Sequence, residues 1–309
     1  MKKAFLFPGQ GAQYVGMGKD FVSSYAIARE TLEEADDLLG RKLSDTILHG
    51  PHDLLTETKN SQLGIYVISI AIWRVVTHLF PHLTADYCAG LSLGEYTALT
   101  ASGRLNFQDA LSLVQYRGQY MNDACESVKG TMAVVLGLEP DVLESLVHEA
   151  RLPNDLWIAN YNCPGQIVIS GTLKGIDAAA KLAKERGAKK ILPLQVYGAF
   201  HSGLMEFAKK KLESHINEAP LCAGKSMLIM NVPGSAVKDD SAVRSYLIEQ
   251  VTSPVKWEQG VRFMDAQGTS LYVEMGPGRT LSGFNKRILV SGKTVSIEKI
   301  EDLKNLEEV

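Results

Sequence analysis

Between Ala85 and Ala101 the chain passes from a short apolar run, Ala85-Asp86-Tyr87-Cys88-Ala89, through Gly90-Leu91-Ser92-Leu93-Gly94 into a helix-like stretch, Glu95 to Ala101. Strand, G-x-S-x-G, helix is the setting in which a serine becomes a nucleophile. The two glycines let the strand turn sharply and leave room for a side chain held in a strained conformation. The helix N-terminus then offers unpaired N–H groups beside the serine oxygen. The same pentapeptide also occurs in ordinary turns, so the context carries the signal rather than the five residues.

The rest of the chain is compatible with an enzyme of ordinary globular composition. Its 309 residues suffice for one large or two smaller domains, and 45% hydrophobic with 22% charged residues is typical. A net charge of −3, with no basic block, argues against a general nucleic-acid binder. Cys88, Cys125, Cys163 and Cys222 form no C-x-x-C pair and have no histidine cluster near them in sequence. We therefore expect reduced cysteines in a cytoplasmic protein, with neither a zinc site nor a disulfide framework. The apolar run at Met1 to Pro8 is too short for a signal peptide. Leu63 to Phe80 is the best membrane candidate. It contains Arg74 and His78, and reads as a buried core helix.

Alternating elements place the serine turn in an α/β fold. Ala4 to Phe7 reads as a strand ending in Pro8-Gly9-Gln10-Gly11. That turn is no dinucleotide fingerprint, because Tyr14 stands where the third glycine is needed, and no P-loop motif occurs in the chain. Helical periodicity follows near Ile27 to Leu39 and Gln62 to Phe80. Asn106, with Asp109 three residues on, caps a long helix to about Glu126. Residues 129–197 read as strand, helix, strand, strand, helix, strand, the βαββαβ order of a ferredoxin-like unit. We expect this unit to be inserted into a mainly parallel α/β domain formed by 1–128 and 198–309. Beyond it, strands at Met227 to Val232 and Ser270 to Met275 alternate with helices at Gly203 to Asn217, Ser241 to Val251, Lys256 to Gln267 and Thr280 to Ile288. The charged C-terminal residues are expected to form a weakly ordered tail. Sites in such sheets lie at the carboxyl ends of strands, where both Gln10 and Ser92 fall.

A serine nucleophile needs a base. Of seven histidines, His49, His52, His78, His82, His148 and His215 sit on polar loops or helices that suit structural or solvated roles. His201 differs. It lies in the small-residue loop Tyr197-Gly198-Ala199-Phe200-His201-Ser202-Gly203, just after the inserted unit. No acidic residue is singled out by spacing to orient its ring, and a backbone carbonyl or an amide would serve as well.

Several motifs now occur together in order: Pro8-Gly9-Gln10-Gly11-Ala12-Gln13, Gly90-Leu91-Ser92-Leu93-Gly94-Glu95-Tyr96, Arg117-Gly118, Asn162-Cys163-Pro164-Gly165-Gln166, Ala199-Phe200-His201-Ser202, Gln250 and Gly276-Pro277-Gly278. Together they resemble the malonyl-CoA:acyl carrier protein transacylases over nearly the whole chain. The resemblance implies an α/β-hydrolase-like domain with a ferredoxin-like insertion, in agreement with the segment reading. It implies that Ser92 carries the malonyl group and that His201 is its base. The carbonyl of Gln250 would orient the imidazole, and the N–H groups of Gln10 and Leu93 would form the oxyanion hole. It further implies that Arg117 binds the free carboxylate and that Gln62, Phe200, Asn160 and Asn162 line the acyl site. The implied substrates are malonyl-CoA and holo-acyl carrier protein, with no metal or other cofactor, in fatty-acid synthesis; a monomer is the default expectation and is not read from the sequence.

Phe200, beside the substrate α-carbon, would disfavour a methyl branch. Leu91 departs from the family, which commonly has histidine there, and this removes a secondary polar contact. Lys181, Lys184, Arg186, Lys189 and Lys190, or Lys286 and Arg287, would offer basic surface to an acidic carrier, although solvated charged faces are the commoner explanation of such runs. Competing readings are a thioesterase or other serine hydrolase on the same elbow, a non-catalytic scaffold, and a malonyltransferase serving a polyketide synthase.

Overall fold

The computed structural model describes residues 1–196 and 198–307. Tyr197, at the head of the His201 loop, and Glu308 and Val309, at the end of the charged C-terminal segment, lie outside the described residues. Among those described, the strands in chain order are β1 (Lys2–Phe7), β2 (Tyr87–Gly90), β3 (Thr131–Leu136), β4 (Leu156–Cys163), β5 (Gln166–Gly171), β6 (Lys190–Pro193), β7 (Met227–Met230), β8 (Ser235–Val237), β9 (Val255–Lys256), β10 (Thr269–Met275) and β11 (Lys293–Ile297). They form two sheets, ordered β11-β10-β1-β2-β7-β8 and β6-β3-β5-β4-β9.

The first sheet is parallel except for the β7–β8 hairpin at its edge. Both of its faces are covered, as parallel strands require. In β1, Phe5 and Phe7 enter the main core while Ala4 and Leu6 enter a second cluster on the opposite face. The helix Thr58–Leu79 has the length and composition of a membrane span, yet Leu63, Ile65, Tyr66, Val67 and Ile70 are buried in the protein core. Pairing of Phe7 with Gly90 brings the carboxyl ends of β1 and β2 side by side, so the turn bearing Gln10 meets the one bearing Ser92.

Residues 131–193 follow the βαββαβ order read from the sequence. Period-two alternation gives this second sheet two different faces. Ala133, Val135, Ile167 and Ile169 pack beneath the helices Pro140–Glu149 and Leu173–Glu185. Met132 and Val168, one residue out of phase, turn instead toward the main core. A cleft between the two sheets results.

Several expectations are corrected. The C-terminal segment is not a loose tail: β11 pairs in parallel with β10, and a 3-10 helix, Ile300–Leu306, buries Leu303 and Leu306. The alternation Thr294-Val295-Ser296-Ile297 sends Val295 and Ile297 inward, which outweighs the charge around it. Strand β6, the last of the βαββαβ unit, is short and covers only Lys190–Pro193. Strand β9 is only two residues long and went unread, yet it pairs with β4 through Asn160–Val255 and Tyr161–Lys256, tying the second sheet to the chain just after Gln250. The short helices Lys19–Ser24, Leu43–His49 and His52–Thr56 also lacked a periodic signal.

Candidate active site

The serine turn is as tight as its glycines demand. A Cβ on Gly90 would lie 1.9 Å from the carbonyl carbon of Gly94, and a Cβ on Gly94 would lie 2.2 Å from the carbonyl oxygen of Phe7. Neither position has room for a side chain. Between them Ser92 adopts φ +51°, a left-handed conformation that costs a non-glycine residue roughly 1–3 kcal/mol and persists only when its surroundings enforce it. Asn231 supplies the enforcement. Its Oδ1 accepts the Ser92 N–H at 2.7 Å, and its Nδ2 donates to the Gly90 carbonyl at 2.8 Å. Leu93 stands at the N-cap of the helix Gly94–Ala101, where backbone N–H groups have no partner within the helix.

His201 meets Ser92 across 109 residues of chain. Its Nε2 lies 2.8 Å from Ser92 Oγ, and its Nδ1 lies 2.8 Å from the backbone carbonyl of Gln250. A carbonyl only accepts, so Nδ1 carries the proton and Nε2 is left with a lone pair facing the serine hydroxyl. His201 itself has φ +57° and is buried. Burial, with the Arg117 charge beside it, pulls the imidazole down to about 4, against the opposing effect of the Gln250 and Ser253 backbone groups. The ring is therefore neutral near pH 7.

Arg117, on the helix Phe107–Ser127, is among the largest fully buried side chains. Nη1 donates to Gln62 Oε1 at 2.6 Å, while Nη2 donates to Ser92 Oγ and to Gln250 Oε1, each at 3.0 Å. Nε has no hydrogen-bond partner. The guanidinium lies 5.6 Å from the Tyr96 ring centroid. A buried cation whose hydrogen-bond partners are neutral favours an anion beside it.

A cavity of about 260 Å³ opens on these groups. Of the residues predicted from sequence, Gln10, Ser92, Phe200, His201, Asn160 and Asn162 line it, and Leu91 contributes apolar wall where a histidine was the familiar residue. Asn162 Oδ1 is buried and unpaired. Arg117, Gln62, Leu93 and Gln250 are buried beside Ser92, next to the residues that line the cavity. The first, second and fourth stand behind Ser92 in one hydrogen-bonded group, and Gln62 Nε2 also touches Gln10 Oε1 at 3.3 Å. Met121, Met132 and Val168 supply apolar wall that the sequence reading did not name.

Two further polar residues escaped it. Asn231 follows β7 directly and so occupies the carboxyl end of a sheet strand, the one positional signal that would have found it. Glu95, in the first turn after the serine, reads as an ordinary acidic helix start, yet it is fully buried. Burial pushes its carboxyl up to about 8 against two hydrogen bonds and the Arg117 charge. The basic candidates fare unevenly. Arg287 is engaged: it donates to Gln166 Oε1 at 2.7 Å and to the Pro164 carbonyl at 2.9 Å, holding the β4–β5 turn. Arg186 pairs with Glu149. His215 stacks on Tyr116 with ring centroids 3.7 Å apart and meets the Tyr120 hydroxyl, a structural position.

The acyl transferase domain family matches residues 4–300. A Bacillus subtilis protein named malonyl CoA-acyl carrier protein transacylase is 40% identical over 303 residues, spanning 98% of this chain and 95% of that protein. A crystal structure of an acyl carrier protein S-malonyltransferase from Vibrio cholerae superposes with a TM-score of 0.95 at 36% identity, covering 99% of this chain and 100% of that one. A malonyl-transacylase solved in complex with its type II PKS acyl-carrier protein superposes with a TM-score of 0.95 at 32% identity, over 100% of both chains. With this likeness running the full length of the fold, the chain belongs to the acyl transferase family, among the malonyl CoA-acyl carrier protein transacylases.

Proposed function

We propose that this acyltransferase moves a malonyl group from malonyl-CoA to the phosphopantetheine thiol of an acyl carrier protein, through an ester on Ser92, in fatty-acid synthesis. The observation that carries this reading is the Arg117 guanidinium beside the nucleophile, with Nη2 3.0 Å from Ser92 Oγ. An acyl group on that oxygen lies next to a buried cation, and a malonyl group has the carboxylate to pair with it. Acetyl has none.

In the first half-reaction His201 Nε2 takes the Ser92 hydroxyl proton as Oγ attacks the thioester carbonyl. The N–H groups of Gln10 and Leu93 receive the oxyanion, each contributing on the order of 3 kcal/mol to the transition state. The C–S bond then breaks, and His201 returns its proton to the CoA sulfur. In the second half-reaction the carrier thiol gives its proton to His201, its sulfur attacks the Ser92 ester, and the C–O bond breaks as Ser92 regains the proton. One thioester is exchanged for another, so no further energy source is needed. The kinetics are ping-pong. The Gln250 carbonyl keeps the imidazole in the required tautomer, making this a Ser–His dyad.

Phe200, Asn160 and Asn162 bound the acyl and pantetheine space in this reading, with Phe200 disfavouring a methyl-branched acyl group by about 1–3 kcal/mol. We read residues 129–197 as a ferredoxin-like insertion in an α/β-hydrolase-like domain of 1–128 and 198–309, with the site in the cleft between them. The likeness to a malonyl-transacylase bound to a type II PKS carrier supports a second reading, in which the acceptor is a polyketide carrier. The test is incubation with malonyl-CoA alone and with holo-carriers of each kind. The account predicts malonyl-carrier as product, with the preferred carrier naming the pathway. Free malonate as the sole product would make the protein a thioesterase.

A further inference from the structure

Glu95 is buried three residues beyond Ser92, and both of its carboxyl oxygens accept hydrogen bonds from N–H donors. Oε1 accepts the backbone N–H of Asn231 at 2.6 Å, and Oε2 accepts Nε2 of Gln250 at 2.6 Å. The Gln250 amide presents its nitrogen to this carboxyl group and donates with it to the Ser92 carbonyl as well, at 3.0 Å. Its oxygen is thereby turned to Arg117 and accepts Nη2 at 3.0 Å. A flipped amide would set NH2 against guanidinium, donor against donor. The two partners of Glu95 are also the residues that hold the reacting groups. Asn231 binds the Ser92 N–H, and Gln250 binds the His201 imidazole through its backbone. Glu95 therefore stands between the support of the nucleophile and the supports of the base and the cation.

We propose that Glu95 is a positioning residue: by accepting from Gln250 Nε2 it fixes that amide with Oε1 toward Arg117, and so aims the guanidinium at the carboxylate of the acyl group. The inference rests on the malonyl-transfer reading above. It goes beyond that reading in giving acyl selectivity a determinant that never touches the substrate.

The test is Glu95→Gln, which keeps the shape but has one acceptor and one donor. If it keeps the Asn231 bond, its NH2 faces Gln250 Nε2, donor against donor, and the amide loses the acceptor that helps to hold its orientation. The expected result is a fall of about tenfold or more in the ratio of kcat/KM for malonyl-CoA to that for acetyl-CoA, as befits a hydrogen bond to a charged group. A general loosening of the site would lower both substrates in step and leave the ratio unchanged. Gln250→Ala removes the same amide and retains the backbone carbonyl. It should lower the ratio similarly, and Glu95→Gln should add little in that background. An unchanged ratio in Glu95→Gln, while the wild-type protein forms a malonyl-Ser92 ester, overturns the inference and leaves the transfer reading standing. Should Glu95→Gln not fold, Gln250→Ala decides alone, and an unchanged ratio there is equally fatal. Absence of the ester in the wild-type protein removes the transfer reading, and this inference with it.

Discussion

Arg117 donates directly to Ser92 Oγ at 3.0 Å, from a side chain with almost no solvent exposure. In the proposed reaction the cation would steady the serine oxygen before acylation and adjoin the acyl group afterwards. Replacing Arg117 by alanine is predicted to reduce malonyl transfer about a hundredfold or more and acetyl transfer far less, in keeping with the loss of a buried, charge-assisted pair. Lysine should not restore it, because an ammonium group lacks the planar fork. Steady-state kinetics with both thioesters checks this; equal losses would refute the role.

The pH profile should carry the imprint of the buried imidazole. His201 is pulled down to about 4, below the ordinary histidine range. The base stays neutral as the pH falls through 6, so the acid limb of kcat/KM should lie below 6 and approach 4. The sign for stability follows from linkage. Between about 4 and 6.5 the unfolded chain binds a proton at this residue that the folded chain excludes, so the contribution is complete above 6.5 and is lost as the pH falls toward 4. An acid limb centred at or above 6.5 would contradict this placement.

Asn231 holds the strained serine turn through two hydrogen bonds. Asn231→Ala removes the side-chain partner of the half-buried Ser92 N–H and of the buried Gly90 carbonyl, and should cost about 2–4 kcal/mol in denaturant unfolding. Activity should fall with it, because Ser92 no longer has an enforced φ. Unchanged stability would show that the turn maintains itself.

The C-terminal segment is predicted to be part of the folded unit. Leu303 is buried against the main core, and Leu303→Ala should destabilise the protein by about 2–4 kcal/mol. A tail without structural role would tolerate the change, and equilibrium unfolding distinguishes the two.

Much of this arrangement was legible in the sequence because its signals are local. Gly90 and Gly94 mark the turn by excluding Cβ atoms, and Asn106 marks a helix start that its side chain does cap through the Asp109 N–H. His201 was separable from six other histidines by its small-residue loop. What escaped is set by packing between distant segments. Two residues of β9 have no period to read, although they close the second sheet. Asn231 and Glu95 become meaningful only when β7 and the elbow helix lie side by side, 136 residues apart in sequence. In the C-terminal strand the flanking charge masks a four-residue alternation that buries Val295 and Ile297.

The central claim is that Ser92 carries the malonyl group. The most direct measurement is mass spectrometry of the protein after brief mixing with malonyl-CoA, with the modified peptide mapped and then exposed to holo-carrier. The account predicts one malonyl group on Ser92 that disappears as malonyl-carrier forms, and no such adduct in Ser92→Ala. Malonyl transfer proceeding undiminished in Ser92→Ala, or an adduct at another residue, would contradict it.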